Sequence, residues 1–341
     1  MASLVTHLAN GLSARLPGVQ VDVVDTYGPG AFWMMPFTLL VAAFRLVFAK
    51  IRRRADLVHV HMASDGSVPR KSLLALIATG LGLPTIIHLH GADFDEFVRS
   101  LAPGRRRLLV RVLERCAAVV VIGNHWRDVA VDELGLDPER VVMIHNGVPT
   151  WGPAREKTSG RAPLLLMVGE LGPRKGTPEL IAALGTSELR TRDWRAVLAG
   201  DGAVERARSD IASLGLSHRV STPGWQSQQE VRRLLDTADI FVLPSHHEGL
   251  PMAILEAMAS GTAVLATPVG AIPDAIVDGE TGLLVQPGDV AGLTRALVRL
   301  LDDPELRERL AVGGRRRFEQ SFTIDRTVDA VARLYQKLEV I

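Results

Sequence analysis

With 341 residues the chain is long for a single core and comfortable for two domains of about 150 residues each. Its 47% hydrophobic and 23% charged residues exclude a disordered or low-complexity protein, and a net charge of +1, with no basic-aromatic patch or nucleic-acid motif, gives no reason to expect a nucleic-acid partner. A single cysteine, Cys116, excludes an internal disulfide and suits a reducing cytoplasm.

Residues 1–16 lack a basic start followed by a continuous apolar run, so they are not expected to be a secretory signal. Leu4, Leu8, Leu12 and Leu16 recur every fourth position and predict a helix, after which Val19 to Val24 reads as a strand. The stretch 31–54 is the most hydrophobic in the chain, but Pro36, Arg45 and Lys50 cut it below the roughly 20 residues of a bilayer span. Two readings stay open for it. One is a helix packed on a sheet, its C-terminal Arg52, Arg53 and Arg54 favoured by the helix dipole; the other is peripheral contact with an anionic membrane surface.

Asp56 to His61 and Pro84 to His90 are expected strands, each ending in histidine before a loop, where ligands of open α/β sheets bind. His59, His61, His88 and His90, with Asp93 close by, invite a metal. Alternating His-x-His in a strand only puts a pair on one face, however, and no further ligand spacing supports zinc, so no metal is assigned. Arg105, Arg106, Arg107, Arg111 and Arg115 make a basic amphipathic helix, read as a solvated face or, with 31–54, as a surface for membrane or acidic acceptor. Ala117 to Gly123 and Val141 to His145 are the next strands. Asn146-Gly147 signals a turn, 151–160 reads as a linker, and the domain boundary is placed near 150.

In the second half, strands are expected at Leu164 to Val168, Arg195 to Ala199 and Asp239 to Leu243. The first leads into Gly169-Glu-Leu-Gly-Pro-Arg-Lys-Gly176, whose glycines allow close backbone approach and whose Arg174 and Lys175 offer cations beside a helix start. The second ends in the turn Gly200-Asp201-Gly202, and Gly224-Trp225 follows another strand. The third is stopped by Pro244 and Ser245, and a helix is expected over Met252 to Ala259, entered through Gly249, Leu250 and Pro251. Glu248 then stands at its mouth and Glu256 further in. Eight helical residues rise about 12 Å, so two carboxylates can hold opposite ends of one ligand with free amides between them for a diphosphate. Residues 270–274 and 282–285 are expected to close the sheet, and helices over 290–301, 304–318 and 323–338 to complete the chain.

The run from Pro244 to Asp289, together with VGELGPRKG at 168–176, AGDG at 199–202, IHNGVP at 144–149 and IIHLHGADF at 86–94, resembles the retaining glycosyltransferases of family 4. The resemblance covers nearly the whole chain. It implies the GT-B architecture: two Rossmann-like doubly wound α/β domains facing a cleft, an acceptor domain over 1–150, a nucleotide-sugar domain over 151–322, and a C-terminal helix over 323–341 that crosses back to the first. It also implies a nucleotide-sugar donor, a saccharide or lipid-linked acceptor, no cofactor and no metal. By the same resemblance Lys175 and Arg174 meet the diphosphate with the amides around Gly249, Leu250 and Pro251, Glu256 holds the ribose, Glu248 the donor sugar, His90 lies near the transferred sugar, and Gly200, Asp201 and Gly202 border the base.

Two departures stand out. Many relatives carry an arginine where this chain has Glu170, so Arg174 must substitute, or the donor is held differently. A strand ending in Gly-Gly, which precedes the first helix in the family, is absent ahead of Met1, and the expectation is that Met1 is internal to a longer reading frame. A non-catalytic sugar-nucleotide binding protein and a GT-B epimerase or phosphorylase are the alternative functions.

Overall fold

The computed structural model describes residues 2–26, 35–64, 66–150, 152 and 160–338. Met1, the first part of the apolar stretch at 31–34 and nearly all of the expected linker at 151–160 lie outside the described residues. Two compact units form, one from residues 1–146 and 324–341, the other from 147–323.

In the first unit, α1 (Ala2–Arg15) buries Leu4, Leu8 and Leu12, the every-fourth-residue stripe of the sequence. Residues 19–25 are not a strand: they pair with no ladder among the described residues, and Val23 is exposed. Alternating valines without a neighbouring strand give extended backbone but no sheet. Then come α2 (Met35–Ile51), β1 (Val58–Met62), α3 (Ser67–Gly80), β2 (Thr85–Leu89), α4 (Phe94–Ser100), α5 (Pro103–Arg115), β3 (Ala118–Val121), α6 (Asn124–Asp128), continued by a wider turn over Val129–Glu133, and β4 (Val141–Met143). The strands are parallel in the order β1-β2-β3-β4, so β1 is an edge among the described residues, and His61 lies directly across from His88.

The second unit contains β5 (Leu164–Val168), α7 (Thr177–Leu184), α8 (Ser187–Arg190), β6 (Arg195–Ala199), α9 (Val204–Ser213), β7 (Val220–Gly224), α10 (Gln228–Thr237), β8 (Ile240–Leu243), α11 (Met252–Ala259), β9 (Ala263–Ala266), α12 (Ile272–Ala275), β10 (Leu283–Leu284), α13 (Val290–Asp302) and α14 (Pro304–Ser321). Residues 270–274 therefore do not extend the sheet: Pro273 enters a short helix at its second position, where a missing N–H costs nothing. The six parallel strands run β10-β9-β8-β5-β6-β7, and the winding reverses between β5 and β8. All four residues of β8 and of β9 are buried, which is why β8 reads as an uninterrupted apolar run; β9 is a further strand that the expectation of 270–274 in the sheet leaves out. Covered on both faces, the sheet leaves its carboxyl strand ends as the place for ligands, at the point where winding changes direction.

The last helix, α15 (Ile324–Lys337), belongs to the first unit. Its apolar face buries Val328, Val331 and Leu334, and Gly11 of α1 lets Val328 come so close that a Cβ there would lie 2.5 Å from its methyl. Arg15 pairs with Asp325 at 3.0 Å and with Asp329.

Candidate functional site

The expected residues of the second unit gather at its switch point. Lys175, in a single helical turn after β5, donates from Nζ to Glu248 Oε1 at 2.5 Å, although 73 positions separate them. Glu248, after β8, is 5% exposed and Lys175 14%. Ser245 Oγ, fully buried, donates to the same Oε1 at 2.7 Å, and Glu248 Oε2 has no partner among the described residues. One carboxylate oxygen is thereby fixed from two sides.

The loop from Pro244 to Pro251 is held from several sides. Gly176 has φ +69°, and a Cβ there would sit 2.0 Å from Pro244 O; Gly270 has φ +57°, and a Cβ would sit 1.9 Å from Glu248 O. Neither position admits another residue without moving backbone. Thr267 Oγ1 donates to Ser245 O at 2.5 Å, Ala271 N to Gly249 O at 2.8 Å, and His246 N to Arg174 O at 2.8 Å. His246 Nε2 also meets Glu179 Oε1 at 2.9 Å, tying the loop to α7.

Gly249, Leu250 and Pro251 are buried and lead into α11, whose helical turns begin at Met252 because Pro251 is extended, with ψ 121°. Only half of the Glu248-to-Glu256 interval is helical, so the straight helical rise inferred from the spacing does not apply. The first amides of α11 still lack intrahelical acceptors and carry the positive end of its dipole. The Glu256 carboxyl makes no hydrogen bond or ion pair among the described residues, and burial pushes it up to about 7.

Arg174 reaches His247 O at 3.4 Å and Glu170 Oε2 at 3.4 Å. The residue that breaks the family pattern thus shares the guanidinium meant to compensate for it, although its 62% exposure keeps that pair weak. Gly200 and Gly202 bring the turn after β6 against the loop after β5: a Cβ on Gly200 would lie 1.7 Å from Gly169 O, and Leu171 N donates to Asp201 O at 2.7 Å. His90 belongs to the first unit. Its Nε2 meets His61 Nδ1 at 2.8 Å, and burial, then His61 and His59, hold its pKa well below the usual histidine range.

Sequence reading missed the props. Ser245 reads only as a strand stop, and neither Thr267 nor the strand before it, β9, is singled out in the sequence. Gly270 carries the only early signal, a glycine in a Gly-Ala-Ile-Pro turn.

Residues 153–317 match the family model described as "Glycosyl transferases group 1" and residues 1–151 the one described as "Glycosyltransferase Family 4". Among curated proteins the chain is 28% identical to an alpha-D-kanosaminyltransferase of Streptomyces kanamyceticus, over 95% of this chain and 88% of that one. It is 27% identical to the UDP-Gal:alpha-D-GlcNAc-diphosphoundecaprenol alpha-1,3-galactosyltransferase of Escherichia coli, over 83% and 76%. Among solved structures, a sucrose-phosphate synthase of Thermosynechococcus elongatus superposes with TM-score 0.76 at 21% identity, over 98% of this chain and 92% of that one, a likeness of fold. With one model on each half and GT-B relatives along nearly its whole length, the chain belongs to the family 4, group 1 glycosyltransferases.

Proposed function

We propose that the chain transfers a sugar from a nucleoside diphosphate sugar to a saccharide or lipid-linked acceptor, with retention of anomeric configuration and without a metal. The observation that carries this reading is the Lys175–Glu248 pair at the switch point of the second unit. Without ligand the ammonium spends its charge on the carboxylate. An arriving diphosphate competes for Lys175, and with Arg174 and the first amides of α11 it is neutralised as it leaves. Glu248, released from Lys175 but still held by Ser245, accepts donor-sugar hydroxyls, and Glu256 accepts those of the ribose. Gly200, Asp201 and Gly202 border the base, and His90 serves the sugar from the first unit. The acceptor attacks on the face the diphosphate leaves, and a phosphate oxygen takes its proton, so no protein nucleophile is required. A lipid-linked acceptor is favoured by the undecaprenol-linked substrate in the name of the E. coli relative.

The test is incubation of the full chain with radiolabelled UDP-, GDP- and ADP-sugars and soluble or lipid-linked acceptors. Nucleotide release coupled to an α-linked product from an α-linked donor is the expected result, unaffected by chelator. Donor binding without turnover would make the protein a sugar-nucleotide binding module instead.

Peripheral membrane contact is a second part of the proposal. Phe37, Leu40, Phe44, Phe48 and Ile51 follow one stripe of α2 and are between 45% and 72% exposed, and exposed Arg52, Arg53 and Arg54 come directly after it. An apolar stripe capped by cations suits the boundary between acyl chains and anionic headgroups. No described helix is long and apolar enough to cross a membrane.

A further inference from the structure

The first unit contains a polar cluster that sugar transfer leaves unexplained. His59 and His61 of β1 point to one face, and the parallel register sets His88 of β2 beside His61. The rings of His59 and His61 stack with centroids 4.6 Å apart, and that of His88 lies 5.4 Å from the first and 5.1 Å from the second. His88 is fully buried, and neither of its ring nitrogens has a hydrogen-bond partner among the described residues; nor has His59 Nε2. Native proteins seldom leave such atoms unsatisfied, because each costs about 1–3 kcal/mol.

We propose that His59, His61 and His88 form a binding site for a divalent transition metal of the zinc class. One ring nitrogen from each lies within 4.8 Å of one from each of the others. A tetrahedral zinc with bonds of about 2.0–2.1 Å needs ligand nitrogens roughly 3.4 Å apart, so the stacked rings must turn toward one another to hold it. The outer contacts are compatible with a proton on Nδ1. His59 Nδ1 lies 2.8 Å from Tyr335 Oη, and His61 Nδ1 lies 2.8 Å from His90 Nε2, so an N–H at either Nδ1 has a partner able to accept it. In that tautomer both residues keep the lone pair of Nε2 for a metal, the arrangement in which a bound imidazole gives its other N–H to an outer acceptor. Burial holds all three imidazoles neutral near pH 7, His61 being lowered to about 4, so no proton has to leave before a metal binds. Burial likewise lowers the pKa of the nearby Lys71, whose positive charge opposes the metal and limits affinity. Sequence reading rejects a metal because one strand supplies only a pair; the third ligand comes from the neighbouring strand, whose register no spacing rule reveals.

Three imidazoles leave a fourth position for water. Through His61 the site touches His90.

The test uses the tag-free full chain, stripped with chelator and titrated with Zn2+ and with Co2+. The expected result is one metal per chain, a tetrahedral Co2+ visible spectrum, and a higher melting temperature with metal. His88→Leu should lose binding by at least about 100-fold while folding as well as the stripped wild type, since an apolar side chain replaces an unpartnered one. Tyr335→Phe should weaken binding about 10-fold or more. Should His88→Leu fail to fold, the more exposed His59→Gln gives the same reading. Absence of stoichiometric binding in the wild type, or undiminished binding in a folded His88→Leu or His59→Gln variant, overturns the site.

Discussion

Glu256 is a carboxylate with no protein cation to stabilise its charge, and its burial gives it a measurable signature. Its carboxyl rises from an ordinary 4.5 to about 7 on folding. Between those values the native state binds more protons than the unfolded chain, so this group's contribution is fully present below 4.5 and is lost as pH rises through 7. Glu256→Gln carries no such penalty. Urea denaturation of both proteins should show the variant gaining on the wild type from pH 5 to pH 8 by up to ~3 kcal/mol. A difference that does not change with pH would mean that the carboxyl is solvated in the native state. Nucleotide-sugar binding should move the other way, the variant being weaker above pH 7 because an ionised carboxylate is the stronger acceptor for ribose hydroxyls. Cys116 illustrates the inert case: burial pushes its thiol up to about 11, so it resists alkylation while the protein stays folded.

Elements explain why these residues meet. Lys175 and Glu248 lie on loops after β5 and β8, neighbours in the sheet although β6 and β7 intervene in the chain. Gly270, after β9, then braces the Glu248 loop from the far side. Gly270→Ala should therefore destabilise the second unit by roughly 2–4 kcal/mol, through the clash with Glu248 O and a left-handed backbone, and displace the carboxylate even when the protein folds. Chemical denaturation and donor affinity measure the two effects, and an unperturbed variant would show that the loop tolerates a shift. Much at this scale is legible in the sequence. The apolar runs of β5, β6 and β8 coincide with strands within a residue, and the Gly-Gly-Arg-Lys-rich loop sits where phosphate chemistry expects it. What escapes is non-local: the partnerless valines at 19–24, the short α12, and Ser245 and Thr267, whose hydrogen bonds depend on which strands become neighbours.

For the molecule as a whole, the distribution of apolar surface matters more than net charge. Six of the largest exposed apolar side chains, Phe37, Leu40, Val41, Phe44, Phe48 and Ile51, are concentrated on α2. The full chain should sediment with vesicles containing anionic phospholipid and much less with neutral ones, and Phe44→Glu with Phe48→Glu should abolish the difference without lowering the melting temperature. Equal recovery with both vesicle types, or retention by the double variant, would exclude this helix as the attachment point. The sequence leaves that stretch open between a packed helix and a surface one, because the same stripe serves either purpose until its neighbours are known.

The segment from Pro244 to Pro251 is anchored through Gly176, His246, Thr267 and Gly270 before any sugar nucleotide arrives. Its loss of conformational freedom is accordingly settled during folding, and binding has only side chains to immobilise. If the proposed function holds, selectivity among donors rests on a rigid template that accepts or refuses shapes, not on a flap that remoulds itself around each one.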